Sequence, residues 1–309
     1  MTSNHTNLDN LPFPPTGKAG WPWTEESAPV PSVMPDGKEW PKISIVTPSY
    51  NQGRFLEETI RSVLLQNYPN LEYIIMDGGS TDNSVEIIKK YEPWISYWTS
   101  EKDGGQVAAI NRGFQQSTGT IFNWLNSDDI YLKNALRRVA EVFVADSTIQ
   151  LLFGEHFNIT EQGEIKNRDT IGANRVTLFH VLYMGRWPFH QESVFFRKDL
   201  WSKVGGLQYT YQLGFDFDFF LRCLRHTDAA TLPGEALGCW RHHPAQKLRP
   251  ANKNLLNEEH IAIYRRYRSR WMMQWMIRVL WSIGRRTVWR HDRTLVEVSK
   301  TGMRKSGNI

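Results

Sequence analysis

Two places in this 309-residue chain concentrate side chains able to hold a cation or move a proton. The first is Ile121-Phe122-Asn123-Trp124-Leu125-Asn126-Ser127-Asp128-Asp129, where a mostly apolar run stops on an amide, a hydroxyl and two carboxylates. Oxygen ligands at the end of a strand suit a divalent cation, and open α/β sheets bind their ligands at that edge. Taken alone, the same residues also describe a plain turn. The second is Gly214-Phe215-Asp216-Phe217-Asp218-Phe219-Phe220-Leu221-Arg222. A carboxylate among aromatic rings is partly desolvated, which raises its pKa, so Asp216 and Asp218 are both candidates for a general base. If Asp216 opens a helix, Asp218 lies about 200° further round and serves a different face.

The elements that position these residues are read upstream. Ile43-Ser44-Ile45-Val46 forms a strand, Pro48 to Gly53 the loop after it, and Leu56, Ile60, Val63 and Leu64 recur at helical spacing. The pattern repeats as a strand Tyr73 to Met76, an acidic Gly-rich loop from Asp77, and a helix through Val85, Ile88 and Tyr91. A third strand, Ile95 to Trp98, precedes Asp103-Gly104-Gly105 and a helix carrying Ile110, Asn111 and Phe114. Such alternation predicts a mostly parallel sheet with right-handed crossovers, and it gathers the loops of Asp77, Asp103 and Asp128 along one edge. Three carboxylates there need a positive or hydrogen-bonding answer. A divalent metal carrying a phosphate-bearing ligand supplies one, with loop amides near Gly78, Gly79, Gly104 and Gly105 as further donors. Beyond Asp129 a helix from Asn134 to Val144 and a strand Leu151 to Phe153 are expected. The less regular residues 155 to 185 would then form the acceptor side of a cleft.

The ends of the chain differ from this middle. Residues 1–41 hold eight of the fifteen prolines and read as an extended arm, with Trp21, Trp23 and Trp40 lying in part against the domain. Cys223 and Cys239 have neither disulfide-framework nor zinc-site spacing, which fits a reduced, cytosolic setting. No secretory leader or spanning helix is visible. The net charge of +5 is local: between His260 and Arg293 nine Arg stand against one Asp, a contribution of +8, which leaves −3 elsewhere. That excludes a nucleic-acid groove through the core and points to a surface patch for an anionic partner. Arg266, Arg270, Gln274, Arg278 and Ser282 recur every four residues among Trp, Met and Ile. The stripe predicts a helix lying on an anionic membrane surface, with packing against protein as the other reading.

Four segments, taken in order, resemble the motifs of family 2 glycosyltransferases, which have the GT-A fold. They are Ile45-Val46-Thr47-Pro48-Ser49-Tyr50-Asn51, Asp77-Gly78-Gly79-Ser80-Thr81-Asp82, Ala109-Ile110-Asn111-Arg112-Gly113 and Leu125-Asn126-Ser127-Asp128-Asp129. The resemblance spans about residues 42–250, between the arm of residues 1–41 and the basic helical tail of residues 251–309. It implies an α/β GT-A domain with a mostly parallel, Rossmann-like sheet, a nucleotide-sugar donor, a divalent cation (Mg²⁺ or Mn²⁺) and inversion at the anomeric carbon. The acceptor would be a hydroxyl of a glycan or a polyprenyl-linked molecule, the latter placing the enzyme on the cytoplasmic face of the membrane. On this resemblance Pro48, Tyr50, Asn51 and Asp77 hold the nucleoside, and Asp128 with Asn126 holds the metal on the diphosphate. Asp103, Asn111 and Ser127 fall in the same donor-binding loops.

His190-Gln191 resembles a recurring pair near the donor or acceptor sugar, although a hydrogen-bonded strand histidine reads equally well. Alignment on Gly214 and Leu221-Arg222 places Asp216 at the family's catalytic base, with Phe215 where the family usually has Glu. In Trp240-Arg241-His242-His243-Pro244-Ala245-Gln246-Lys247, Arg241 and Lys247 either neutralise the departing diphosphate or belong to a solvated loop. The chain departs from the family's Asp-x-Asp at Asn126, whose neutral amide weakens the electrostatic hold on the metal. Asp129 either assists or caps the next helix. The competing reading is a non-catalytic sugar-nucleotide or glycan-binding protein with a degenerate metal site, against which Asp128 and Asp216 both speak.

Overall fold

Strand β1 (Ile43–Ser49) is buried along its whole length, as an uncharged strand must be when helices cover both faces of its sheet. It pairs in parallel with β2 (Leu71–Asp77) and β4 (Ile121–Trp124), and β2 pairs in parallel with β3 (Tyr97–Ser100). Helices α1 (Gly53–Leu64), α2 (Ser84–Tyr91) and α3 (Gln106–Gln116) make the crossovers. The third strand begins two residues later than its apolar run predicts. The register aligns Ser49, Asp77 and Ser100 in one row, so the loops that follow open at a common edge. The computed structural model describes residues 7–171, 175–184, 190–248 and 250–268.

The core lies on both sides of this sheet. Leu56, Ile60 and Val63 of α1, with Ile87 and Ile88 of α2, cover Ile43, Ile45, Tyr73 and Ile75 on one face. On the other, Phe114 of α3 stacks on Phe122 with ring centroids 4.7 Å apart. Gly113 lets α3 approach closely, since a Cβ there would lie 2.4 Å from a methyl group of Val46.

The run of purely parallel pairing stops at β4. The remaining elements are β5 (Ile130–Tyr131), α4 (Ala135–Ala145), β6 (Leu151–Ile159), β7 (Ile165–Asp169), α5 (Leu178–Tyr183), β8 (Val194–Arg197), α6 (Lys198–Val204), α7 (Phe215–Leu224) and β9 (Ala230–Arg241). The sheet runs β3-β2-β1-β4-β8-β6-β9-β5, with β7 added on β6. Strand β8 is antiparallel to β4 and β6, and β9 is parallel to β6, so the α/β sheet is mixed. Connection length accounts for one of the antiparallel pairs, β6 with β7. Five residues link β6 to β7, enough for a hairpin and too few for a parallel crossover. The stretch of residues 155–185, expected to be less regular, carries the end of β6, all of β7 and α5.

The proline-rich arm packs on this unit. Trp23 and Trp40 are buried, and the Trp21 indole donates to the carbonyl of Tyr131 at 2.7 Å. Arg61 on α1 is fully buried and donates to the carbonyls of Pro12, Pro22 and Trp23 and to the Tyr91 hydroxyl. One compact unit runs to Glu259, so the arm and residues 251–259 cluster with the sheet. Most of the Arg- and Trp-rich stretch, and with it the expected membrane-surface helix, lies outside the described residues. Among the described residues no helix is long and apolar enough to cross a membrane.

Candidate active site

The loops beyond β1 to β4 and the segments before α7 and after β9 enclose a cleft of about 930 Å³. Pro48, Tyr50, Asp103, Asn126, Ser127, Asp128, Gln191, Asp216 and Lys247, nine of the residues singled out by sequence, line it. Tyr50 is 61% exposed and offers a flat ring to whatever enters. Asp103 accepts from the backbone of Gly105 at 2.7 Å and thereby shapes the start of α3.

The turn after β4 is built by its buried neighbours. The Thr59 hydroxyl of α1 lies within hydrogen-bond distance of the carbonyls of Ser127 and Asp129. The carboxylate of Asp129 points inward and accepts from Asn126, Gln191 and the backbone of Arg241. It neither caps a helix nor faces the cleft: the N-cap of α4 is Asn134. Burial first, then Asp128 and Glu192, push the Asp129 pKa well above the usual carboxylate range. Strand β5 pairs Ile130 with Cys239 of β9, which carries the end of β9 alongside the turn.

That pairing decides the roles after β9. Arg241 is only 1% exposed, its guanidinium held by the carbonyls of Asp128 and Glu161 and by Glu58. It lies beneath the turn and does not line the cleft. His243, two residues on, sets Nε2 2.9 Å from Oδ2 of Asp128, with its ring packed on Phe55 at 4.6 Å. The sequence reading passed over His243 in favour of Arg241. Its place two residues beyond a strand end paired to the acidic turn is set by a long-range pairing that the local sequence does not carry.

A polar chain crosses the floor. Lys247 donates to Gln106 at 3.2 Å, and Gln106 donates to Oδ1 of Asn126 at 2.7 Å. Burial lowers the Lys247 pKa, against the pull of Asp216 and Glu259.

The two carboxylates of α7 separate as the helix geometry requires. Asp216 is half-buried, lines the cleft and accepts from the Phe217 amide at 2.7 Å. Burial raises its pKa to about 6, against the lowering effect of that amide and of Lys247. Asp218 is 1% exposed and paired with Arg222 at 2.8 Å, one turn along the helix. Glu259, unnoticed in the sequence, accepts from the amides of Gln212, Leu213 and Gly214 and so fixes the loop that delivers Asp216.

Four other sequence candidates serve the walls. Asp77 is buried, its carboxylate taken by the amides of Gly79 and Ser80 and the hydroxyls of Ser80 and Ser100. Asn51, in the left-handed region at φ 51°, accepts from the Thr81 amide and ties the first loop to the second. Asn111 exchanges two hydrogen bonds with the backbone of Leu207, both 3.0 Å. His190 stands behind the cleft wall, its ring 4.7 Å from Trp240, which does line the cleft. Burial, followed by the neighbouring His156, pushes the His190 pKa down to about 3. Glu192 was also unforeseen. It is buried, one carboxylate oxygen has no hydrogen-bond partner, and burial raises its pKa to about 8.

An α/β sheet with acidic loops at one edge, a cation-competent turn beyond β4 and a half-buried carboxylate across the cleft has the layout of a GT-A sugar-nucleotide enzyme. The sequence profile of glycosyl transferase family 2 matches residues 44–201, just over half the chain, and the chain belongs to that family. It is accordingly a glycosyltransferase. An uncharacterised glycosyltransferase of Mycobacterium tuberculosis is 26% identical over 194 residues, covering 62% of this chain and 72% of that one. Among solved structures, Staphylococcus aureus TarS 1–349 in complex with UDP-GlcNAc superposes with a TM-score of 0.56 at 18% identity, over 66% of this chain and 60% of that one. The mannosyltransferase PcManGT of Pyrobaculum calidifontis, in complex with GDP-Man and Mn²⁺, gives 0.54 at 18% identity, over 77% and 65%. These two likenesses establish the GT-A fold.

Proposed function

We propose that the enzyme transfers a sugar from a nucleoside-diphosphate donor to an acceptor hydroxyl with inversion, assisted by a divalent cation, with Asp216 as the base. One observation carries this reading: Asp128, with His243 at its carboxylate, and Asp216 open onto the same cleft. The donor set fits the cation. A carboxylate, an imidazole and the amide oxygen of Asn126 suit Mn²⁺ better than Mg²⁺, and His243 adds a donor atom, though not the charge of the aspartate missing at Asn126. When bound, the cation supplies positive charge against the departing diphosphate.

The protein's own groups do the rest. Pro48, Tyr50 and Asp103 receive the nucleoside, while Asp77, Asn51 and Asn111 hold the loops that shape its pocket. The acceptor oxygen attacks the anomeric carbon as the carbon–oxygen bond to the diphosphate breaks, and Asp216 takes the acceptor proton. At a pKa near 6 it is ionised at neutral pH yet more basic than an exposed aspartate. Lys247 stands near the same carboxylate and, through Gln106, braces Asn126. A hydroxyl on a glycan or a polyprenyl-linked sugar is the acceptor class, reached past Gln191 and Trp240. The test is thermal stabilisation by a panel of nucleoside diphosphates with and without Mn²⁺, followed by turnover with the matched donor. Stabilisation that needs Mn²⁺ supports the reading; stabilisation by diphosphates that ignores Mn²⁺ removes the cation from it.

A further inference from the structure

Behind the cleft wall, one face of the second half-sheet brings together side chains that the transfer reaction does not use. His156 on β6 stands opposite Asp169 on β7 in the strand register, and His190 precedes the turn that carries Gln191. One ligating atom from each of the three lies within 4.8 Å of the other two. The His156 ring is 2% exposed, and its Nε2 sits 3.0 Å from Oδ2 of Asp169. Apart from that ion-pair contact, the buried nitrogen has no well-formed hydrogen bond.

A surrounding layer already holds these groups in place. Asn158, two residues along the same face of β6, donates to Oδ2 of Asp169 at 2.8 Å, and Asn167 donates to Oδ1 at 3.2 Å. His242 comes within 2.9 Å of the Asn158 amide oxygen and packs tilted against Trp240, ring centroids 4.1 Å apart. The rings of His156 and His190 are 4.0 Å apart.

We propose that His156, Asp169 and His190 form a second cation site, separate from the one at Asp128, that takes a zinc-class divalent ion. Two imidazoles and a carboxylate favour zinc over magnesium, which prefers oxygen ligands and retained water. Ligands of a four-coordinate zinc stand about 3.3 Å apart, so small side-chain rotations close the trio on an ion. Bound there, the ion ties β6, β7 and the start of the Gln191 turn together. Gln191 both lines the cleft and donates to Asp129, so the site would rigidify the acceptor wall. It leaves the reacting atoms alone.

The test uses full-length chain carrying Asp128→Asn, which removes the diphosphate cation site, titrated with Zn²⁺ alone and in parallel with Co²⁺. One ion per chain is expected, with the visible absorption of a low-coordinate Co²⁺. Adding Asp169→Ala, at an exposed strand position, should weaken Zn²⁺ binding about 100-fold or more, and adding Asn158→Ala by about 10–100-fold. No bound ion in the Asp128→Asn chain, or binding undiminished by Asp169→Ala, overturns the proposal. Zinc binding is read without any sugar transfer, so failure of the catalytic reading leaves this result standing, and the reverse also holds.

Discussion

The sheet has two halves, and they meet the cleft differently. From β1 to β4 every strand is parallel, every connection is a helix, and each loop at the edge follows a strand directly. From β5 to β9 the pairing is mixed, with β6 parallel to β9 and antiparallel to β7 and β8; β6 serves three neighbours, and its register with β9 slips twice within three residues. The first half presents ligand-binding groups by repetition of one unit. The second assembles Asp216, His243 and the trio behind Trp240 from segments far apart in sequence. On the proposed roles, the donor is held by a repeated device, whereas acceptor and base depend on segments brought together from afar.

The comparison is broken most sharply at α7. Asp216→Asn keeps the shape but cannot take a proton, so kcat should fall about 10²–10⁴-fold with donor affinity unchanged. Asp218→Asn should instead lower stability by about 3 kcal/mol, because Arg222 loses its buried partner, and leave most turnover intact. Turnover and chemical denaturation of both variants check this, and a dead Asp218→Asn with an active Asp216→Asn would reverse the assignment. On the donor side, Asp128→Asn should weaken Mn²⁺-dependent nucleoside-diphosphate binding by about 100-fold or more, at or above the upper end of what outer-layer changes cost. Calorimetric titration with and without Mn²⁺ measures it. Equal affinity with Mn²⁺ present would move the cation elsewhere.

Glu192 tests the seam between the halves. Its folded pKa of about 8 lies above its ordinary 4.5, so in between the folded chain holds a proton that the unfolded chain releases. Stability contributed there is present below about 4.5 and lost as pH rises through 8. Glu192→Gln should therefore be more stable than the parent by about 2–4 kcal/mol at pH 8 and nearly equal to it at pH 4, as melting curves would show. The smallest effect is kinetic. Below pH 6 kcat/KM should fall about tenfold per unit as Asp216 protonates, while the residual rate of Asp216→Asn stays flat.

Legibility from sequence follows the same division. Apolar runs ending in Gly- and Asp-rich loops are local signals, and they place Tyr50, Asp103 and Asp128 on the cleft without further help. The split between Asp216 and Asp218 was also readable, since helical periodicity is local. Arg241 and His243 were not separable, because the direction of each depends on β9 pairing with a two-residue strand over a hundred positions earlier. Glu259 carries no local mark at all: an acid on a helix reads as a solvated charge until the amides of residues 212–214 are brought to it.

Arg61 gives the proline-rich arm a role that its composition hides. Thr59, which steadies the acidic turn, and Arg61, which gathers three arm carbonyls, sit two residues apart on one helix. Cutting away residues 1–41 would strand a guanidinium in a water-free hollow, a penalty of several kcal/mol unless solvent floods in. Solvent would then reach α1 about half a helical turn from Thr59. The arm thus behaves as a gasket, and a trimmed enzyme that keeps every cleft residue should still lose its grip on the donor as the seal opens.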